Sequence, residues 1–157
     1  MLLRALTYAS LFIGFVLVFL PARLLAWSGV SRPASLGVLQ VAGMLATAAG
    51  AALAVWCVLA FAFVGKGTPA PFDPPTRLVV RGPYKRIRNP MYLGAGMALA
   101  GAALFYGSWA LAGYAAGFLL LMHGFVLGYE EPTLRATFGS EYEAYCARAG
   151  RWWPRRA

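Results

Sequence analysis

Charge is what this 157-residue chain has least of: Asp, Glu, Lys and Arg make up 12% of it, and only five residues are acidic. Soluble globular domains carry about 25% charged residues. With 61% hydrophobic residues as well, the composition excludes an ordinary soluble domain and points to an integral membrane protein. Cysteine is almost absent. Cys57 lies inside an apolar run and Cys146 near the C-terminal end, at no metal-ligand spacing, so neither a disulfide framework nor a thiolate metal centre is available. No phosphate-binding loop, serine triad or metal cluster can be read anywhere in the chain. A net charge of +9 would suit nucleic acid, but the basic residues sit in the links between apolar runs, where they orient a chain in a bilayer.

What is present is a succession of long apolar runs. A spanning helix takes about 20 residues, and four candidates appear. The first runs from Ala5 to Ala26, with Pro21 bending or ending it; it is long for a signal peptide and no small-residue cleavage site follows it. The second, Ser35 to Val64, has no charge and no proline, and exceeds a perpendicular span, so it tilts or projects beyond the lipid. The third begins at Pro90 and ends near Phe105. The fourth runs from Trp109 to about Tyr129, and the turn Tyr106-Gly107-Ser108 makes the last two a tight antiparallel hairpin. The expected fold is an all-α integral membrane protein with about four transmembrane helices in a single domain, 1–157. Its two N-terminal helices fall in 1–64, and a polar loop, the hairpin and the tail in 65–157.

The loop opens with Gly65-Lys66-Gly67-Thr68, and Pro69, Pro71, Pro74, Pro75 and Pro83 forbid a regular helix through it. Its segment Thr76 to Tyr84 has β-like residues and a turn at Gly82-Pro83, and reads as an ordered loop or extended strand. In the tail, Leu134, Phe138, Tyr142 and Tyr145 recur every three or four residues from Pro132 to Arg148. That spacing describes an amphipathic helix lying on the membrane or against the bundle. All but Arg23 and Arg32 of the 14 basic residues fall in the N-terminus, the central loop or the tail. With four spans these three share one side, and the excess of positive charge places them in the cytoplasm.

Two polar stretches invite chemistry. Asn89-Pro90 is a strong helix start, with asparagine as N-cap and proline at the first helical position. Its free N–H groups and the positive pole of the helix dipole, reinforced by Arg86 and Arg88, make a ready anion site that Tyr92 could join. Gly94, Ala98 and Ala102 then share a face that lets another helix approach closely. Glu130-Glu131 ends the fourth helix on the same side. The pair reads either as salt-bridged to loop arginines or, because the hairpin returns it to Asn89–Tyr92, as the carboxylate half of a site for a zwitterion. His123, two turns inside the fourth helix, reads as a buried histidine bonded to a neighbouring helix or as a functional group, and Trp152-Trp153 as an interfacial anchor.

Arg81 to Gly94, then the apolar hairpin, then Glu130 to Pro154, resemble the isoprenylcysteine carboxyl methyltransferase family and its phospholipid N-methyltransferase relatives. The resemblance covers about half the chain, 76–154, and combines two separated motifs in the right order. It implies transfer of a methyl group from S-adenosylmethionine, leaving S-adenosylhomocysteine, to a lipophilic acceptor: an isoprenylcysteine-like carboxylate, or a lipid amine or thiol. The family's cofactor pocket would fall on Thr76, Arg77, Leu78, Val79, Tyr84, Asn89, Pro90, Met91, Tyr92 and Glu130. Asn89 stands where the carboxyl methyltransferases usually have histidine, and Val126 stands near the place of an arginine that contacts the acceptor in their eukaryotic members. Glu141 and Arg151 are the candidate catalytic residues, as acceptor-positioning groups; each reads equally as a solvated charge on the tail. The expected partners are the lipid bilayer and the acceptor, with no nucleic acid and no metal. Two other functions fit the same hairpin: an NADPH-dependent sterol-reductase-like oxidoreductase, for which the chain is short, and a non-catalytic membrane adaptor.

Overall fold

The structure, a computed structural model, describes residues 13–65 and 76–155 together with Thr7 and Leu11. The start of the first apolar run, most of the proline-rich opening of the loop, and Arg4, Lys66 and Arg156 lie outside the described residues. The helices are α1 (Leu20–Trp27), preceded by a π-helical turn Ile13–Phe19; α2 (Val38–Ala60), continued by a π-helical turn Phe61–Gly65; α3 (Pro90–Tyr106); α4 (Trp109–Phe125); and α5 (Glu131–Arg148). A further π-helical turn, Val126–Glu130, joins α4 to α5. Among the described residues there is no strand, so the extended alternative for 76–84 is not realised.

Two helices are long and apolar enough to cross a membrane, Val38–Gly65 and the continuous Trp109–Arg148; Gly14–Trp27 and Pro90–Tyr106 are shorter apolar helices. They pack in the order α2, α3, α4, α1. The α2–α3 contact is the closest because glycines remove the side chains between them. A Cβ on Gly50 would stand 2.5 Å from both Gly94 O and Ala98 N, and one on Gly101 2.5 Å from Thr47 N. Backbone therefore meets backbone, as small residues permit in membranes, and Thr47 Oγ1 donates to Ala98 O at 3.2 Å across the gap. Gly94 and Ala98 belong to this contact as the spacing predicts; its next member is Gly101.

The expected hairpin forms between α3 and α4. Gly107 closes α3 with φ 60°, a left-handed conformation that glycine adopts without strain. Ser108 then caps α4 by accepting from Leu111 N at 3.2 Å. Ala95 and Leu99 of α3 pack on Ala115 and Phe118 of α4, and Val16 and Leu17 complete that core. Tyr114 secures the first helical segment by donating to Val16 O at 2.8 Å.

The tail helix forms as its spacing predicts, with one correction. It is interrupted at Gly139, whose φ of 49° and ψ of −124° are not helical. Leu134 and Phe138 before the bend, and Tyr142, Tyr145 and Cys146 after it, share one apolar cluster with Leu78 of the loop. The apolar face of α5 is thus spent on the loop.

Candidate functional site

Successive loop residues face opposite ways. Leu78 enters the α5 cluster, while Val79 joins Cys57 of α2 and Tyr84 in a second one, with Met91 packed alongside. The loop is thereby clamped between tail and bundle. Tyr84 sits in a short 3₁₀ turn, Gly82–Lys85, with its ring edge-on to Phe61 at 5.3 Å. Burial first, then the neighbouring Cys57 thiol, push its phenol well above the ordinary range. Tyr145 of α5 donates to Tyr84 O at 2.7 Å, which ties α5 to the same turn. Thr76 closes the base of the loop: its N–H and hydroxyl donate to Gly65 O at 3.1 and 3.3 Å. Arg77 is exposed.

At the start of α3 the structure corrects the expected cap. Asn89 occupies the N-cap position and is 5% exposed, but its side chain makes no capping hydrogen bond. Its Nδ2 donates instead to Arg151 O of the tail, at 3.1 Å. Pro90 has no N–H, so the first donors of the helix are Met91 N and Tyr92 N, and both are left without a capping partner among the described residues. The tail is in register here through a parallel bridge between Ile87 and Gly150: Arg88 N donates to Gly150 O at 2.8 Å, and Gly150 N to Arg86 O at 3.1 Å.

The two adjacent glutamates separate. Glu130 accepts from Tyr92 Oη at 3.0 Å, joining the starts and ends of the hairpin. It lies beyond the apolar part of its helix, and burial raises its carboxyl; the Tyr92 hydrogen bond offsets this in part and the Glu131 charge adds to it. Glu131, 3% exposed, faces the arginines. Arg151 holds it with Nε at 2.7 Å and a second nitrogen at 2.9 Å, Arg88 at 3.2 Å, and Arg135 more distantly at 3.7 Å. Burial alone would raise Glu131, but the Arg151 hydrogen bond and the Arg88, Arg151 and Arg135 charges outweigh it and hold the carboxyl below its ordinary value. Arg88 also donates to Cys146 Sγ and to Tyr142 Oη, while its buried Nε has no partner.

Of the expected cofactor residues, the structure brings Asn89, Pro90, Met91, Tyr92 and Glu130 together, with Val79 and Tyr84 packed beneath Met91. Leu78 turns to the other face of the loop, and Thr76 bonds to Gly65 at the loop's base. The catalytic candidates do not converge: Glu141 is exposed without a hydrogen bond or ion pair to this group, and Arg151 is engaged by Glu131. Val126 is fully buried in the π-helical turn. His123 differs from the buried histidine expected. It is exposed, and its Nδ1 accepts from Trp152 of the tail, not from a helix, at 2.9 Å. Glu131 realises the salt-bridged reading of the pair through Arg88 of the loop, and the structure adds Arg135 and Arg151 of the tail to its partners.

The site thus joins a helix start with uncapped N–H groups to a half-buried carboxylate. The family model for phospholipid methyltransferases matches residues 38–141, from the start of α2 into α5. The chain belongs to the phospholipid methyltransferase family. That makes it a membrane methyltransferase, of a family that generally uses S-adenosylmethionine, and its apolar helices agree with an integral membrane protein. Neither curated proteins nor solved structures gave a match. Among the described residues no group of His, Cys, Asp and Glu could hold a metal ion.

Proposed function

We propose that the chain transfers a methyl group from S-adenosylmethionine to a lipophilic acceptor within the bilayer, at a site built on Asn89 to Tyr92 and Glu130. The observation that carries this reading is the 3.0 Å Tyr92–Glu130 hydrogen bond at the uncapped start of α3. It juxtaposes anion-binding N–H groups with a carboxylate, and the methionine part of the cofactor carries a carboxylate and an ammonium. Met91 N and Tyr92 N at the positive end of α3 suit the carboxylate. Glu130, half-buried and bonded to Tyr92, suits the ammonium or a ribose hydroxyl. The unpartnered Arg88 Nε is a further donor at the same end of the helix.

Bound S-adenosylmethionine supplies an electrophilic methyl group. The chain's task is then alignment and exclusion of water, which are worth about 7–11 kcal/mol for well-oriented pairs. Buried Tyr84, Tyr92 and Val79 give that end of the bundle apolar walls. All four apolar helices cross the bilayer in this reading, with both termini and the site in the cytoplasm and the acceptor arriving laterally from the lipid. Glu141, being exposed, is the weaker of the acceptor-positioning candidates. The family match favours methyl transfer over the oxidoreductase and adaptor alternatives.

The test is purified protein with methyl-labelled S-adenosylmethionine and a membrane lipid extract. Label entering a lipid fraction, abolished by Glu130→Gln, is the expected result. No labelled lipid, or thermal stabilisation by NADPH with none by S-adenosylhomocysteine, would overturn the reading.

A further inference from the structure

We propose that Glu131 and Arg151 are positioning residues that keep Asn89 from capping α3, and so hold the anion site of the helix open. The inference rests on the cofactor reading above, which supplies the anion. Asparagine is among the best N-cap residues, and its side-chain oxygen competes for the same N–H groups that an anion would use. Left to local preference, Asn89 would take them. Here its amide is turned to Arg151 O, and its ψ of 48° departs from the extended value of an ordinary cap.

What withholds Asn89 is the tail. Arg151 reaches that position because Gly150 pairs with Arg86 and Arg88, and because its guanidinium is gripped by Glu131 through two nitrogens. A side chain at Gly150 would run into Trp153 O, so the tight turn that follows needs glycine. Glu131 in turn is fixed by Arg88, the residue before Asn89. The circuit from Arg88 through Glu131 and Arg151 back to Asn89 thus closes on the start of α3. Glu130 and Glu131 then have complementary tasks: the first faces the ligand, and the second keeps its binding partner on α3 uncapped.

Amide hydrogen exchange at Met91 and Tyr92 in the ligand-free protein reads this directly, and S-adenosylhomocysteine affinity reads its consequence. In Arg151→Ala the tail carbonyl is released, Asn89 caps the helix, exchange at both amides slows, and affinity falls about fivefold, the ordinary worth of a cap. Adding Asn89→Ala to Arg151→Ala removes the competing cap and returns exchange at both amides to the fast rate. Glu131→Gln should act as Arg151→Ala does, with circular dichroism confirming the fold of each variant. Unchanged exchange in Arg151→Ala, or a double variant whose amides exchange no faster than those of the single one, would overturn the proposal. A wild-type protein that ignores S-adenosylhomocysteine would overturn the cofactor reading instead, and leaves the exchange comparison intact as a test of the Asn89 switch.

Discussion

Replacing Gly50 with alanine should destabilise the protein, although alanine is the better helix former. A Cβ there would stand 2.5 Å from Gly94 O and 2.5 Å from Ala98 N. Both obstacles are backbone, so no rotamer change relieves them and α2 must retreat from α3 by roughly 1 Å. Overpacking of that kind costs about 3 kcal/mol at the upper end of its range. The retreat also stretches the Thr47–Ala98 bond, worth about 0.6 kcal/mol in a membrane setting. Against this, alanine gains about 1 kcal/mol over glycine in helix propensity. The net expectation is a loss of about 2.5 kcal/mol. Gly117 of α4 is the control, because a Cβ there meets nothing within 4 Å. Gly117→Ala should therefore gain about 0.5–1 kcal/mol from propensity alone. Reversible unfolding of both variants in the same mixed micelles gives the comparison. The reasoning fails if Gly50→Ala is as stable as the wild type, or if both substitutions shift stability in the same direction.

Three further outcomes follow from the polar end. Tyr145→Phe leaves the buried Tyr84 carbonyl without its 2.7 Å donor and should cost about 1–3 kcal/mol in the same unfolding assay. The two glutamates should give opposite pH signatures. Because the folded state lowers the Glu131 pKa, its stabilisation is present above the ordinary value of 4.5 and is lost as pH falls below it; the acid-side drop in melting temperature should be shallower in Glu131→Gln. Because burial raises Glu130, its ionisation costs stability as pH rises through 4.5; Glu130→Gln should melt no lower than the wild type at neutral pH while binding S-adenosylhomocysteine at least tenfold more weakly.

The helices, their order along the chain and the hairpin were legible in the sequence because each rests on a local cause: apolar run length, Pro90, and the Gly107-Ser108 turn. Half of the proposed site was legible for the same reason, since Asn89 to Tyr92 form one helix start and Glu130 ends the helix that returns to it. What could not be read depends on residues far apart in sequence. His123 meets Trp152 only because the tail folds back, and Asn89 loses its capping role to a carbonyl at position 151. Local propensity predicts the cap correctly as a preference; a tertiary hydrogen bond overrides it. The break at Gly139 was equally silent, because glycine in a helical pattern signals a bend no more than it signals a packing gap.

The separation of Glu130 from Glu131 has a backbone cause. In a continuous α-helix, neighbours differ by about 100° and both would follow the phase set by Phe118 and Val126. The turn Val126–Glu130 is π-helical, with hydrogen bonds reaching five residues along, and so sets back the phase of everything after it. It ends at Glu130, the residue that meets Tyr92, and α5 begins at Glu131, the residue that meets the arginines. A second π-helical turn, Phe61–Gly65, begins at Phe61, whose ring meets Tyr84. Such turns forfeit regular hydrogen bonding and persist where the altered phase is used. Here both flank the start of α3, and one of them lets two adjacent carboxylates serve a ligand and a scaffold at once. Inserting one alanine after Gly128, a residue the turn has no room to absorb, should turn Glu130 away from Tyr92 and cost cofactor binding while the α2–α3 contact survives; deleting Gly128 should cost little, because the five-residue step from Val126 to Glu131 becomes the four-residue step of a regular helix.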